Sequence, residues 1–389
     1  MISVEAALAQ CLALTAPLAV ETVPLAEAAG RWMAGLARAS RDQPPFAASA
    51  MDGYAVAGDP GPRDRFRVIG MAAAGHAFAG RVTAGEAVRI FTGAPVPMGA
   101  TRVVIQEDVD GIGDSIILRK GADASTHIRP QGQDFRCGDS LSPRRLGPHD
   151  LALLAAMNVA TVRVTRRPVV ALIATGDELV MPGEDPRPDQ IIASNSFALK
   201  AMIVAAGGMA RMLPIARDTE ADLAQVLALA AGADLIVTSG GASVGDHDFV
   251  SRIPGLAASF WKIALRPGKP MLAGRLNGVP MLGLPGNPVS ALVCGTLFLL
   301  PMVRAMLGEP DPAPQKLEAC LAVDLAANGP RAHYMRARLS KGEGMARITP
   351  FDRQDSGQLS LLAQADALLI RPMDDGPRTK GTTVQYLPV

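Results

Sequence analysis

The sequence predicts an α/β, multidomain chain in which a central, doubly wound, mostly parallel sheet is flanked by small β-rich domains. Two observations carry the centre. Val169-Val-Ala-Leu-Ile-Ala174 and Asp234-Leu-Ile-Val-Thr-Ser239 are nearly unbroken apolar or β-branched runs without polar alternation, which is how strands buried on both faces read. Helical stretches lie around them, and strands alternating with helices build a doubly wound sheet. The third observation is a change of texture toward both ends, where short strands are punctuated by glycine and proline.

At 389 residues and 49% hydrophobic, the chain exceeds one ordinary core and should divide into several domains. Its formal net charge of +1 gives no general attraction to nucleic acid or to an anionic membrane, so anion binding must come from local clusters. Cys11, Cys137, Cys294 and Cys320 are widely spaced and form no C-x-x-C pair, which argues against structural zinc or a disulfide framework and fits a reducing cytoplasm. The start of the chain has Glu5 and no basic lead-in, unlike a signal peptide. The run Val289 to Val303 is interrupted by Ser290, Gly295, Thr296 and Pro301 and is shorter than the roughly 20 residues that span a bilayer. It reads as a buried helix.

Taken in order, residues 1–39 show helical spacing, with Val4, Ala7, Leu8 and Cys11 on one face and a short second helix expected near Ala26 to Ala37. Together with 138–167 they form a packing segment. Residues 40–137 form a β-rich domain with strands at Tyr54-Ala-Val, Phe66-Arg-Val-Ile, Val88-Arg-Ile-Phe, Arg102-Val-Val-Ile and Ile116-Ile-Leu. Three exposed turns within it bear polar groups: Asp52 before Gly53, Thr92 before Gly93, and Asp134 after Arg129-Pro-Gln-Gly-Gln. Each also suits an ordinary turn. A helix from Pro148 to Met157 and a strand from Thr161 to Val164 lead into the central domain, 168–310.

There, each buried strand ends in glycine followed by acids: Thr175-Gly-Asp-Glu178, and Gly240-Gly-Ala-Ser-Val-Gly-Asp-His-Asp248. Glycines after a strand allow positive φ and the close approach of N–H groups to a phosphate. Carboxylates beside a phosphate repel it unless a hard divalent cation lies between them. Asp246 and Asp248 also suit a helix cap. In parallel sheets ligands bind beyond the carboxyl ends of the strands, so the two ends should meet at one crevice. Ser194 or Asn195 is expected to cap a helix closing at Gly207-Gly208, Met209 to Ile215 to form a strand, and Asp218 to cap Thr219 to Ala231. If 261–266 are extended, Lys262 and Arg266 share a face; with Lys269 they form either a solvated surface or an anion site, and the neighbouring Trp261, Ile263 and Leu265 favour the anion site. A strand from Pro280 to Leu284 runs into Pro285-Gly-Asn-Pro-Val-Ser290 and a long helix, whose first amides and dipole favour an anion. Residues 311–389 return to short strands at Leu317 to Val323, Tyr334 to Leu339, Ala346 to Ile348, Ala367 to Ile370 and Thr383 to Tyr386, with Arg331, Arg336 and Ser356 as exposed-looking anion candidates.

Ala50-Met-Asp-Gly-Tyr-Ala, Phe91-Thr-Gly-Ala-Pro, Thr175-Gly-Asp-Glu-Leu, Ser239-Gly-Gly-Ala-Ser-Val-Gly-Asp-His-Asp, Arg266-Pro-Gly-Lys-Pro and Leu284-Pro-Gly-Asn-Pro-Val-Ser together resemble the molybdopterin molybdenumtransferase (MoeA) family, which is similar to the E domain of gephyrin. The resemblance spans nearly the whole chain in the right order. It implies a MoaB/Mog-like central domain, a C-terminal β-barrel-like domain, and an elongated homodimer in which the α/β domain of one subunit faces the Met-Asp-Gly-Tyr domain of the other. It also implies the last step of molybdenum cofactor synthesis: adenylylated molybdopterin and molybdate are the substrates, Mg²⁺ the cofactor, and AMP is released. The family's functional positions fall on Asp52, Thr92, Asp134, Glu178, Asp218, Asp248, Lys262 and Arg266. Gly240, Gly241, Ser243, Gly245, Lys269, Pro285, Gly286, Asn287 and Ser290 lie in matching motifs that would bind substrate, and Glu178, Asp246, Asp248 and Asp134 are the implied metal ligands. Arg266 stands where many relatives have lysine, and Gln133 where they often have glutamate. The central domain alone also resembles the adenylyltransferase that makes the adenylylated substrate from ATP, and the gephyrin relationship allows a non-catalytic scaffold. Implied partners are that adenylyltransferase and maturation proteins of molybdoenzymes.

Overall fold

The computed structural model describes residues 1–241, 253–342 and 344–389. These fall into two compact units. One comprises Met1–Glu21, Gly30–Ala34 and Val164–Val389, the other Thr22–Ala29 with Gly35–Arg163.

The larger unit is built on a six-stranded sheet in the order Met209–Met212, Val169–Ala174, Leu235–Ser239, Val279–Leu284, Pro270–Leu276, Leu256–Lys262. The first four strands are parallel, and the last two turn back antiparallel. The unbroken apolar runs follow from cover on both faces. Val170, Leu172, Leu235 and Val237 pack with Leu199 and Ile203 of the helix Asn195–Ala205, whereas Ala171, Ile173 and Ile236 pack with Leu223 and Val226 of the helix Glu220–Ala228.

The first helix, Val4–Ala13, is capped by Ser3, whose side chain accepts from the Ala6 N–H, and it buries Val4, Ala7 and Cys11 as its spacing predicts. The second helix expected near Ala26 to Ala37 is not formed. A single 3₁₀ turn, Leu25–Glu27, and a short strand, Ala37–Arg38, occupy that stretch. Gly30 between them has φ +69°, a left-handed conformation that ends helical hydrogen bonding. The strand expected to reach Ile215 stops at Met212, just before Pro214.

The long apolar stretch forms one helix, Pro288–Leu307, and 72% of its most apolar window is buried inside the protein, the pattern of a core helix. A π turn, Gly295–Leu299, interrupts it. A Cβ on Gly295 would come within 3.1 Å of Leu199 and 3.2 Å of Met202, so glycine lets the two helices approach closely.

The C-terminal strands Leu317–Leu321, Ala332–Ser340, Arg347–Pro350, Ala367–Arg371 and Thr383–Pro388 form a ring, because Ala332–Ser340 pairs with both Arg347–Pro350 and Ala367–Arg371. The result is a closed barrel. A two-residue strand, Leu265–Arg266, joins it in parallel, with Arg266 opposite His333. The single extended stretch expected over 261–266 is therefore broken. Ile263 bridges to Ile2, and the Ala264 N–H donates to the Ile2 carbonyl at 2.8 Å. This anchorage divides the cations, leaving Lys262 at the end of the central sheet and Arg266 on the barrel.

The smaller unit contains a six-stranded sheet ordered Arg102–Ile105, Gly53–Val56, Glu86–Ile90, Arg65–Ala72, Ser115–Leu118, Val109–Ile112. The expected strands are all present. Its two faces are covered by separate clusters, one around Ala55, Val88 and Ile90, the other around Val56, Phe66 and Val104.

Asp234 locks the start of the central sheet. Arg166 donates to both of its carboxylate oxygens, at 2.7 and 2.5 Å, and the Val169 N–H donates to Oδ2 at 2.8 Å. Burial pushes the Asp234 carboxyl upward, but the Arg166 hydrogen bonds and charge, with the Val169 amide, outweigh it and hold the group below the usual carboxylate range. A depressed folded-state pKa stabilises above the ordinary value and loses that contribution as pH falls through the folded one. Asp234→Asn should therefore cost about 1–3 kcal/mol at neutral pH, and its deficit against wild type in thermal unfolding should shrink as the pH is taken below about 4.

Candidate active site

Ala174, Ser239 and Leu284 lie opposite one another on three neighbouring parallel strands. The segments that follow, Thr175-Gly176, Gly240-Gly241 and Pro285-Gly286, therefore emerge side by side. The strand order also reverses between Val169–Ala174 and Leu235–Ser239, and such a switch point opens a crevice at the carboxyl edge. A cavity of about 420 Å³ occupies it, lined by these segments together with Glu178, Ile191, Ile192, Ser194, Asn195, Asp218 and Asn287.

The cavity wall depends on glycine. Gly240 has φ +101°, and a Cβ there would fall 2.4 Å from the Thr175 carbonyl oxygen. A Cβ on Gly286 would lie 3.5 Å from the Gly240 Cα, so the two loops are in contact. The helices Asn195–Ala205 and Pro288–Leu307 both begin on this wall. Their positive dipole ends favour an anion.

Two acids share the same wall. Gly176, at φ +146°, leaves room for the Glu178 carboxylate, since a Cβ would meet Glu178 Oε2 at 2.4 Å. The Asp218 N–H donates to Asp177 Oδ1 at 3.1 Å. Asp218 is not the helix cap expected of it. Thr219 takes that place, its hydroxyl accepting from the Asp222 N–H, and the helix runs Glu220–Ala228. Arg217, which the sequence reading passed over, organises the acidic loop by donating from Nη1 to the carbonyls of Gly176, Asp177 and Leu179 at 3.0–3.3 Å. An Arg preceding a strand-end Asp was the available signal. Neither Ser194 nor Asn195 caps its helix through a side chain; the Asn195 amide reaches the strand ends instead.

Of the residues singled out from the sequence, the cavity gathers Glu178, Asp218, Gly240, Gly241, Pro285, Gly286 and Asn287. Ser290 lies in the first turn of the core helix and is buried, and Lys262, Arg266 and Lys269 are exposed; none of the four lines this cavity. Ser243, Gly245, Asp246 and Asp248 lie outside the described residues. Among the described residues no cluster of three or more His, Cys, Asp or Glu side chains is poised to hold a metal.

The barrel touches the site's rim through Ser356, whose hydroxyl accepts from Asn287 Nδ2 at 3.1 Å and whose carbonyl accepts from the Val289 N–H at 3.2 Å. Arg336 is not the exposed cation expected. It is 1% exposed, and it donates to the carbonyls of Gln358 at 2.9 Å and Arg353 at 3.2 Å and to Gln354 Oε1. Its guanidinium shapes the loop that presents Ser356. Arg331 is partly exposed.

In the smaller unit the sequence pairs two of its candidates. Gly53 lies opposite Ile90 on antiparallel strands, which brings Asp52 beside Thr92. The Thr92 N–H and hydroxyl both donate to Asp52 Oδ1, at 2.7 and 2.8 Å. These two bonds, with a smaller contribution from Arg89, hold the Asp52 carboxyl below the usual range against a slight upward push from burial. Gly53 is obligatory, because a Cβ would overlap the Val104 carbonyl oxygen at 1.9 Å. Asp134 lies elsewhere in this unit, in a hollow of about 600 Å³ with Gly93, Arg129 and Gln133.

The chain matches known proteins along its whole length. Residues 2–158 match the MoeA N-terminal region (domain I and II), 171–305 the probable molybdopterin binding domain, and 318–389 the MoeA C-terminal region (domain IV). Molybdopterin molybdenumtransferase 2 of Mycobacterium tuberculosis is 37% identical over 381 residues, covering 94% of each chain. Molybdopterin molybdenumtransferase of Haemophilus influenzae is 32% identical over 384 residues, 96% of this chain and 94% of its own. A crystal structure of the molybdopterin biosynthesis MoeA protein of Pyrococcus horikoshii superposes with a TM-score of 0.81 at 30% identity, covering 100% of this chain and 99% of that one. With the glycine loops, the strand-end acids and the closed barrel all in place, the chain belongs to the molybdopterin molybdenumtransferase, or MoeA, family.

Proposed function

We propose that the cavity binds adenylylated molybdopterin, and that the protein inserts molybdate at the dithiolene with release of AMP, completing molybdenum cofactor biosynthesis. The observation that carries this reading is one wall combining amide-bearing glycine loops, two helix starts, Glu178 and Asp218. Loops and helix starts suit a pyrophosphate. Acids in the same wall would repel it, and a divalent cation between them would resolve that conflict.

The donor set fits Mg²⁺, which is commonly held by one or two carboxylates together with substrate phosphate oxygens and water. Glu178 and Asp218 would hold the ion, joined by Asp246 and Asp248, and bound Mg²⁺ would neutralise charge on the phosphates. The chain's own groups do the rest. Amides of Gly241 and Gly286 hold and orient the phosphates, while the Gly240 N–H ties its loop to the Leu284 carbonyl at 3.2 Å, and Arg217 keeps the Glu178 loop in place. Lys262, Arg266 and Lys269, exposed and close in sequence, raise the local concentration of the molybdate dianion. Electrostatic positioning of this kind needs no protein nucleophile.

The protein works as a homodimer in which Asp52 and Thr92 of one subunit complete the site holding Glu178 of the other. It acts in the cytoplasm, where its four cysteines stay as thiols; all four are unpaired in the structure. Its substrate arrives from the adenylyltransferase and its product passes to maturation proteins of molybdoenzymes. Asp134, which lines the smaller unit's hollow beside Arg129, is a further candidate metal ligand.

Three outcomes test the reading. Purified protein should release AMP from adenylylated molybdopterin only with both molybdate and Mg²⁺, and Glu178→Gln or Asp248→Asn should slow release by about 100-fold; pyrophosphate formed from ATP and molybdopterin would instead mark an adenylyltransferase. Asp52→Ala and Glu178→Gln, each strongly impaired alone, should recover about a quarter of wild-type activity when co-expressed, as random pairing into two-fold dimers restores one good site in half of them; no recovery would place both groups in one subunit's site. Thr92→Val should raise the Asp52 pKa toward the ordinary carboxylate value, read by NMR titration, because it removes one of the two bonds that favour the charged form.

A further inference from the structure

Asn195 lines the cavity and opens the helix Asn195–Ala205, yet it does nothing for that helix as a cap. Its Nδ2 donates to Ser239 Oγ at 2.8 Å and to the Gly286 carbonyl at 2.8 Å. These acceptors stand at the ends of neighbouring strands, on the two glycine loops that line the cavity. The Gly286 contact fixes the orientation of the amide, since the reverse assignment would set two oxygens against each other. Oδ1 is buried and has no hydrogen-bond partner among the described residues. The donor hydrogen bonds of this amide thus go to the two glycine loops and not to its own helix. The loops themselves have little slack, with Gly240 against Thr175 on one side and Gly286 on the other.

We propose that Asn195 is a positioning residue for the phosphate-bearing substrate: by holding Ser239 and Gly286 to one amide group, it sets the separation of the two glycine loops and so the convergence of their N–H groups. The inference rests on the reading of this cavity as the substrate site. Asn195 touches no reacting atom in this scheme; it acts through the loops.

The test compares wild type, Asn195→Ala and Ser239→Ala, together with the double variant. Asn195→Ala should raise KM for adenylylated molybdopterin about tenfold while kcat falls less, with the melting temperature within about 2 °C of wild type. Ser239→Ala, which leaves the Gly286 bond, should have a smaller effect, and the double variant should be no worse than Asn195→Ala, because both act on one linkage. Without any ligand, amide hydrogen exchange in segments 239–241 and 285–288 should quicken in Asn195→Ala. Unchanged exchange with unchanged KM overturns the proposal. A large loss of melting temperature, with KM returning to the wild-type value at a temperature where the variant is folded, assigns Asn195 a purely structural role and also overturns it. If wild type releases no AMP, the substrate reading fails, and the exchange measurement alone decides the linkage: quickened exchange upholds it and unchanged exchange overturns it.

Discussion

Much of this molecule follows from the need to collect negative charge at one edge of a sheet. Carboxylates and phosphates repel, and a crevice that holds both must supply compensating positive ends without filling itself with side chains. Parallel strands meet that need, because their carboxyl edges expose amides that no side chain has to provide. Here three such edges end level, at Ala174, Ser239 and Leu284, and two helices start against them. The acids Glu178 and Asp218 are then tolerable. Arg217 is part of the same solution: a cation spent on backbone carbonyls holds the acidic loop without neutralising the acids themselves.

The barrel repeats this economy. Among the described residues no carboxylate pairs with the buried Arg336 guanidinium, and desolvation pulls its pKa down against the opposing pull of Asp355. Its hydrogen bonds go to neutral oxygens of one loop, and that loop carries Ser356 to the start of the core helix. His333, buried among Arg266, Arg331, Arg371 and Arg336, is pushed down to about 4 by desolvation and those charges, and so stays neutral at physiological pH. Positive charge inside the barrel is thus kept from growing.

How legible this was depends on the type of signal. Strands buried on both faces write themselves as apolar runs, so the four parallel strands of the central sheet could be placed from residue type, whereas Leu256–Lys262, Pro270–Leu276, Val20–Pro24 and Val109–Ile112 were not expected. The glycine and acid endings were legible for the same reason, since few arrangements require that combination. What could not be read were choices between equivalent local partners. Asp218 and Thr219 are both good caps, and only the fold decides that the threonine turns inward to the helix. Arg336 looks like any surface arginine until the pairing of its strand shows it enclosed. The break at Ile263 depends on Ile2, some 260 residues away in sequence, and no local pattern encodes such a contact. Gly30, at φ +69°, is the local signal against a helix after Ala26.

The wide turn at Gly295–Leu299 gives the core helix two faces that are out of phase. One extra residue in a turn rotates everything beyond it by about 100° relative to an unbroken helix. Pro288–Cys294 can therefore be oriented for the crevice while Leu300–Leu307 is oriented for the first helix and the rest of the core. Substitutions in the packing half therefore need not re-aim the ligand half. A one-residue deletion within the turn would remove that independence at a stroke, putting both halves on a common phase that only one of them can satisfy.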